Sequence, residues 1–209
     1  MKITLTDSGK RFNRDWIFRH LSFEFSAGRA YAITGPNGSG KSTLLQVIAG
    51  STVSSEGVVA YQKQLPSDNS VVDAADAYHF ISISAPYLEL IEEMTVTEFL
   101  HFHQNFKPLL TDVTVDKIID TVGLRPAAKK QIRYYSSGMK QRVKLAQAIF
   151  SDTPVVLLDE PCTNLDLEGI ALYQRLIDEH CSGRLVIVSS NDKQEYQFCR
   201  EILDISKYK

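Results

Sequence analysis

Cysteine is scarce in this 209-residue chain: Cys162, Cys181 and Cys199 make an odd number and show no CxxC spacing. They read as reduced thiols in a cytosolic protein, and the N-terminus has no signal-peptide pattern to contradict that. Long apolar runs are missing too. None approaches the ~18 residues needed to span a bilayer, so any work at a membrane requires a separate chain as holder. Nor is there an excess of one charge. The formal net charge of -2 gives no overall positive field to gather nucleic acid or anionic lipid. The local basic run from Lys129 to Lys144 reads as a solvated helix face. His101 and His103 are two apart and point different ways on a helix, which argues against a metal site. No repeat, low-complexity tract or long Gly/Ser linker divides the chain.

What is present is an ordinary globular composition, 44% apolar and 23% charged, in a length that suits one well-buried domain with a small subdomain. Short apolar runs alternate with helical patterns. Ala30 to Thr34, Val58 to Tyr61, Phe80 to Ser84, Val155 to Leu158 and Leu185 to Val188 read as strands. Lys41 to Ala49, Thr95 to Phe106, Val115 to Val122, Ser137 to Phe150 and Leu165 to Glu179 read as helices. The strands at 155 and 185 are apolar throughout, as expected of a sheet covered on both faces. The pattern predicts an α/β fold with a mostly parallel core. Residues 2–8 and 16–26 add an antiparallel β edge, and the stretch of roughly 88–150 a small helical subdomain.

Gly35-Pro36-Asn37-Gly38-Ser39-Gly40-Lys41-Ser42 fits G-x-x-x-x-G-K-[ST] without a gap, after a strand and before a helix. The glycines let successive amides converge on an anion, and the helix opened by Lys41, Ser42 and Thr43 brings its positive end to the same point. Lys41 supplies a full charge for β- and γ-phosphates and Ser42 a hydroxyl for Mg²⁺. A plain glycine turn explains neither the lysine nor the serine at those offsets. Asp159-Glu160, at the C-terminal end of the 155 strand, supplies the acids: Asp159 for Mg²⁺ and Glu160 as general base for the attacking water.

With these motifs on the page, the chain resembles the ATP-binding domain of ABC transporters, a P-loop NTPase core, over nearly its whole length. Tyr135-Ser136-Ser137-Gly138-Met139-Lys140-Gln141-Arg142 looks like a variant of that family's signature; its plain alternative is a helix N-cap. The resemblance implies a head-to-tail dimer, most simply a homodimer, with two ATP molecules between one chain's phosphate loop and the other's Ser136, Ser137 and Gly138. Asn164-Leu165-Asp166 resembles the loop that runs along that interface. Phe12, or else Trp16, resembles the aromatic that stacks on adenine, a core role being the alternative for either. A separate membrane-spanning subunit is implied, docked around Pro86 to Glu93 and holding this chain at the inner face of the cell membrane. The signature is similar to those of small exporter ATPases, including haem-exporter types.

Two positions depart from the family pattern. Ala85, or Pro86, stands where the family has a metal-touching glutamine, and Gln62 and Gln64 lie too early to replace it. Asn191 stands at the switch histidine; it can donate one hydrogen bond to a γ-phosphate but carries no charge. Loss of such a charged donor implies slower turnover, by on the order of 10²–10³. The main expectation is a transport ATPase using ATP and Mg²⁺. A weakly hydrolysing regulatory module of the same fold is the alternative. A soluble ribosome or DNA-repair member fits less well, since those carry two nucleotide domains or large insertions.

Overall fold

Two β-sheets form because the strands come in two sequence classes. The computed structural model describes residues 1–64 and 68–209. Strands β3 (Ala30–Thr34), β6 (Ile81–Ser84), β7 (Val155–Asp159), β8 (Leu185–Ser189) and β9 (Glu201–Asp204) make a wholly parallel sheet in the order β6-β7-β8-β3-β9. Strands β1 (Lys2–Phe12), β2 (Asp15–Phe25), β4 (Glu56–Gln62) and β5 (Val71–Val72) make an antiparallel sheet in the order β2-β1-β4-β5. The expected N-terminal antiparallel strands are therefore present, as a sheet of their own that also recruits β4.

The parallel strands divide their side chains between two interiors with a period of two. Val155, Leu157, Leu185 and Ile187 face one interior, with helix α1 (Lys41–Ile48) and the antiparallel sheet. Val156, Leu158, Val186 and Val188 face the other. There they meet α2 (Val96–His103), α3 (Val115–Thr121), α4 (Ser137–Ile149) and α5 (Leu167–His180). With apolar neighbours on both faces, β7 and β8 are buried at every position.

Helices α2 to α5 start where side chains can cap them. Thr95 and Glu98 form a reciprocal capping box on α2, Ser136 caps α4 and Asp166 caps α5. Arg184, at the entry to β8, is buried and donates to the carbonyls of Ile149 (2.6 Å), Ser151 (2.9 Å) and Thr153 (2.7 Å). It ties the end of α4 to the start of β7. A short helix α6 (Lys193–Tyr196) precedes β9.

The Lys129–Lys144 run is not one solvated helix face. It crosses a turn and enters α4, and its cations reach across to the 85–93 segment: Lys140 to Glu92 (2.5 Å), Arg133 to Glu93 (3.3 Å), Lys144 to the Pro86 carbonyl (2.9 Å). The apolar segments on either side must dock before these partners meet, so spacing alone did not reveal them. No helix among the described residues is long and apolar enough to cross a membrane.

Candidate functional site

Polar groups collect at the C-terminal edge of the parallel sheet. Ser84, Asp159, Ser189 and Thr34 end four neighbouring strands. Loops leaving that edge carry the chemistry, as in other open α/β sheets.

The phosphate loop leaves β3 at Gly35, and Gly35, Gly38 and Gly40 take positive φ values of 145°, 75° and 101°. Ser39 N–H donates to the Pro36 carbonyl (3.0 Å), and Leu44 N–H to the Gly40 carbonyl (2.8 Å), closing the loop onto α1. The first amides of α1 have no intrahelical acceptor, and Gly40 brings no side chain to cap them, which leaves an anion-binding end. Only glycine fits at 40: a Cβ there would lie 2.2 Å from Cγ2 of Ile17. Lys41 is buried, and its ammonium donates across the loop to the carbonyls of Gly35 (2.9 Å) and Pro36 (3.3 Å). Ser42 and Thr43 follow on the first turn, half-buried. Asn37 and Asn191 meet here too: Asn191 Nδ2 donates to Asn37 Oδ1 (3.0 Å), and Asn191 Oδ1 accepts from Gly35 N–H (3.3 Å).

Asp159 is buried at the end of β7, and its Oδ1 has no hydrogen-bond partner among the described residues. Burial pushes its carboxyl above the usual range, with Glu160 adding to the effect; the hydroxyls of Ser189 and Ser42 and the Lys41 ammonium pull the other way. An orphaned carboxylate oxygen is costly unless something binds it. A hard cation with oxygen ligands suits that position, so Ser42 and Asp159 fit Mg²⁺.

Glu160 turns the chain sharply, at φ 44°, a conformation that costs a non-glycine residue about 1–3 kcal/mol. Its N–H donates to the Ser189 carbonyl (2.9 Å), and its carbonyl accepts from Thr163 N–H (3.1 Å). It shares a concavity with Thr163, Ser190 and Asn191. Gly35–Ser42, Asp159, Glu160 and Asn191 thus come together at one edge.

The signature does not join them within one chain. Ser136 accepts from Met139 N–H (3.2 Å), so the N-cap reading holds, while Ser137 and Gly138 line a separate concavity with Asn164 and Asp166. Of the two aromatics, Phe12 is 49% exposed at the end of β1, with Lys10 Nζ 5.0 Å from its ring. The Trp16 ring instead carries the guanidinium groups of Arg19 (4.3 Å) and Arg11 (5.5 Å). Gln62 donates to the Asn69 carbonyl and Gln64 accepts from Ala27 N–H, so both serve the antiparallel sheet. Ala85 is buried just past β6, where its carbonyl accepts from Lys144 (3.3 Å).

Two contributors were missed. Gln141 lies inside the signature stretch and Glu195 on α6; both are buried against the segment that follows Glu160. No signal in the sequence marked them, because each stands among polar neighbours, Gln141 between Lys140 and Arg142 and Glu195 after Lys193 and Gln194.

Known proteins resemble this chain over most of its length. Residues 18–163 match the family model described as ABC transporter. The chain is 30% identical over 206 residues to the cytochrome c biogenesis ATP-binding export protein CcmA of Agrobacterium fabrum, covering 97% of this chain and 94% of that protein. It is 29% identical over 188 residues to the uncharacterized ABC transporter ATP-binding protein YybJ of Bacillus subtilis, covering 89% and 84%. A solved ATP-binding cassette, a dimer bound to ADP and Pi, shares the fold at a TM-score of 0.81 and 22% identity, covering 97% of this chain and 94% of that one.

Proposed function

Because this chain belongs to the ABC transporter family, we propose that it is the ATP-hydrolysing subunit of an exporter and drives a separate membrane-spanning subunit. The single observation that carries the reading is the buried Oδ1 of Asp159, without a hydrogen-bond partner among the described residues, beside the phosphate loop and Ser42. Residues 1–209 act as one ATP-binding domain, with the helical subdomain at roughly 88–150. Loop amides from Gly35 to Ser42 hold the phosphates, with Thr43 on the same helix turn, and Lys41 releases its loop carbonyls to meet the β- and γ-oxygens. Ser42 and Asp159 would hold Mg²⁺, which would supply positive charge to offset that developing on the transferred phosphoryl group.

Glu160 orients and deprotonates the attacking water, its backbone held at the sheet edge by the hydrogen bond from its N–H to the Ser189 carbonyl. Asn191 steadies the loop from the next strand. Phe12 offers the exposed ring for adenine. Ser136, Ser137 and Gly138, open on their own concavity, close over the nucleotide of a second copy, giving a head-to-tail homodimer. The membrane subunit docks along Pro86 to Glu93, beside a groove that Tyr87 and Leu88 share with Gln46, Tyr78 and Lys107, and holds the chain on the cytoplasmic face. Export is favoured because relatives such as that of Agrobacterium fabrum are named export proteins; the regulatory alternative gains no such support.

Steady-state ATP hydrolysis by the purified chain tests this. Glu160→Gln is expected to lower kcat on the order of 10²-fold or more while ATP binding persists, and Lys41→Ala to abolish binding. Equal rates for wild type and Glu160→Gln would sink the hydrolytic reading.

A further inference from the structure

One peptide group next to Glu160 is held at both of its ends. The bond joining Pro161 to Cys162 presents its carbonyl to α4, where Gln141 Nε2 donates to it at 2.7 Å. Its N–H points towards α6, where Glu195 Oε1 accepts from it at 2.7 Å. Both side chains are only 4% exposed. Neither is excess polarity left on a surface.

α6 has its own anchor: the buried Tyr173 hydroxyl on α5 donates to the Glu195 carbonyl at 2.7 Å. Ser190 ties in the same cluster. Its Oγ accepts from Asp192 N–H at 2.9 Å, at the start of α6. The held peptide begins one residue after Glu160, whose φ of 44° needs outside support to persist. Pro161 is bonded directly to Glu160, so the two hydrogen bonds on this peptide anchor the backbone immediately after that strained residue.

We propose that Glu195 and Gln141 are positioning residues for hydrolysis: together they fix the Pro161–Cys162 peptide and so aim Glu160 at the attacking water. This rests on the reading of Glu160 as general base. Gln141 sits one turn into α4, the helix that Ser136 opens, while Glu195 follows Asn191 by four residues. A shift of the signature helix or of the Asn191 loop is thereby passed to the base through a single peptide group. Neither residue touches nucleotide in this account. Their effect falls on kcat and spares binding.

Steady-state kinetics of the full chain, with nucleotide affinity from a fluorescent ATP analogue, provide the test. Glu195→Ala is expected to lower kcat on the order of ten- to a hundredfold, with KM for ATP and analogue affinity within about twofold of wild type. Glu195→Gln keeps an acceptor for Cys162 N–H and is expected to recover most of the loss. Gln141→Leu reaches the same peptide from the other side and serves if Glu195→Ala folds poorly. Combined with Glu195→Ala it should cost less than the product of the single losses. Independently of turnover, the Cys162 amide should exchange with solvent faster in Glu195→Ala than in wild type. Wild-type kcat in Glu195→Ala, or Glu195→Gln as slow as Glu195→Ala, overturns the proposal. A wild type no faster than Glu160→Gln would instead show that the parent reading has failed, and this one with it.

Discussion

Gly138 lies so close to Asn164 that a Cβ on it would stand 2.9 Å from the Asn164 carbonyl oxygen. The first turn of α4 and the loop after Glu160 therefore touch backbone to backbone. Gly138→Ala should force them apart, costing about 1–3 kcal/mol of stability, readable as a lower denaturant midpoint. Hydrolysis should fall further than that loss explains, while ATP affinity of the isolated chain is kept. Unchanged kcat in a folded Gly138→Ala protein would separate this contact from catalysis.

Asn191 bonds to Gly35 N–H and to the Asn37 side chain. Its removal should loosen the phosphate loop itself. We expect Asn191→Ala to weaken ATP binding about 3- to 10-fold, in line with ~1 kcal/mol for a hydrogen bond. Titration with a fluorescent nucleotide measures this, and Asn37→Ala should give a similar and non-additive loss.

The adenine platform should be Phe12. Its ring is half exposed, whereas Arg19, fixed to Glu56 at 2.7 Å, lies over that of Trp16. Phe12→Ala is expected to weaken ATP about 3- to 10-fold, on the scale of ~1 kcal/mol for an aromatic contact, and Trp16→Ala to leave affinity near wild type. The reverse ranking would assign the stack to Trp16.

His103 should make folding stability depend on pH below neutrality. Burial and the nearby Lys107 lower its pKa to about 4. The Ser151 hydroxyl donates to the Gln147 carbonyl (2.6 Å), so it accepts from the His103 Nε2–H at 2.8 Å, fixing a neutral tautomer. In the unfolded chain the ring takes a proton near ~6.5. The unfolded state therefore binds more protons between about 6.5 and 4, and stability drops as pH falls through that window. Denaturant melts at pH 7.5 and 5 should show a smaller drop in His103→Gln than in wild type; equal drops would assign the effect to other groups.

Much of this molecule was legible in its residues, and the unread parts share a cause. β7 and β8 announce themselves because both faces are apolar, and α2, α4 and α5 through their helical patterns, although the caps at Thr95 and Asp166 emerge only in the structure. The phosphate-loop motif is local in sequence, so its spacing marks it directly, whereas Asp159–Glu160 stands out only when paired with that loop. β9 was not seen: it is a short edge strand with mixed exposure, Ile202 out and Leu203 in. Recruitment of β4 to β1 depends on pairings between residues far apart in sequence, such as Ile3 with Tyr61. Gln141 and Glu195 acquire meaning only once α4 and α6 are packed on opposite sides of one peptide.

β7 is five residues long and lends alternate side chains to two different interiors. It is a party wall, and the two acids hang from its end. Softening on either side, whether under α1 or among the subdomain helices, reaches Asp159 and Glu160 through that one backbone. Core substitutions far from the nucleotide should consequently register as altered turnover before they register as unfolding.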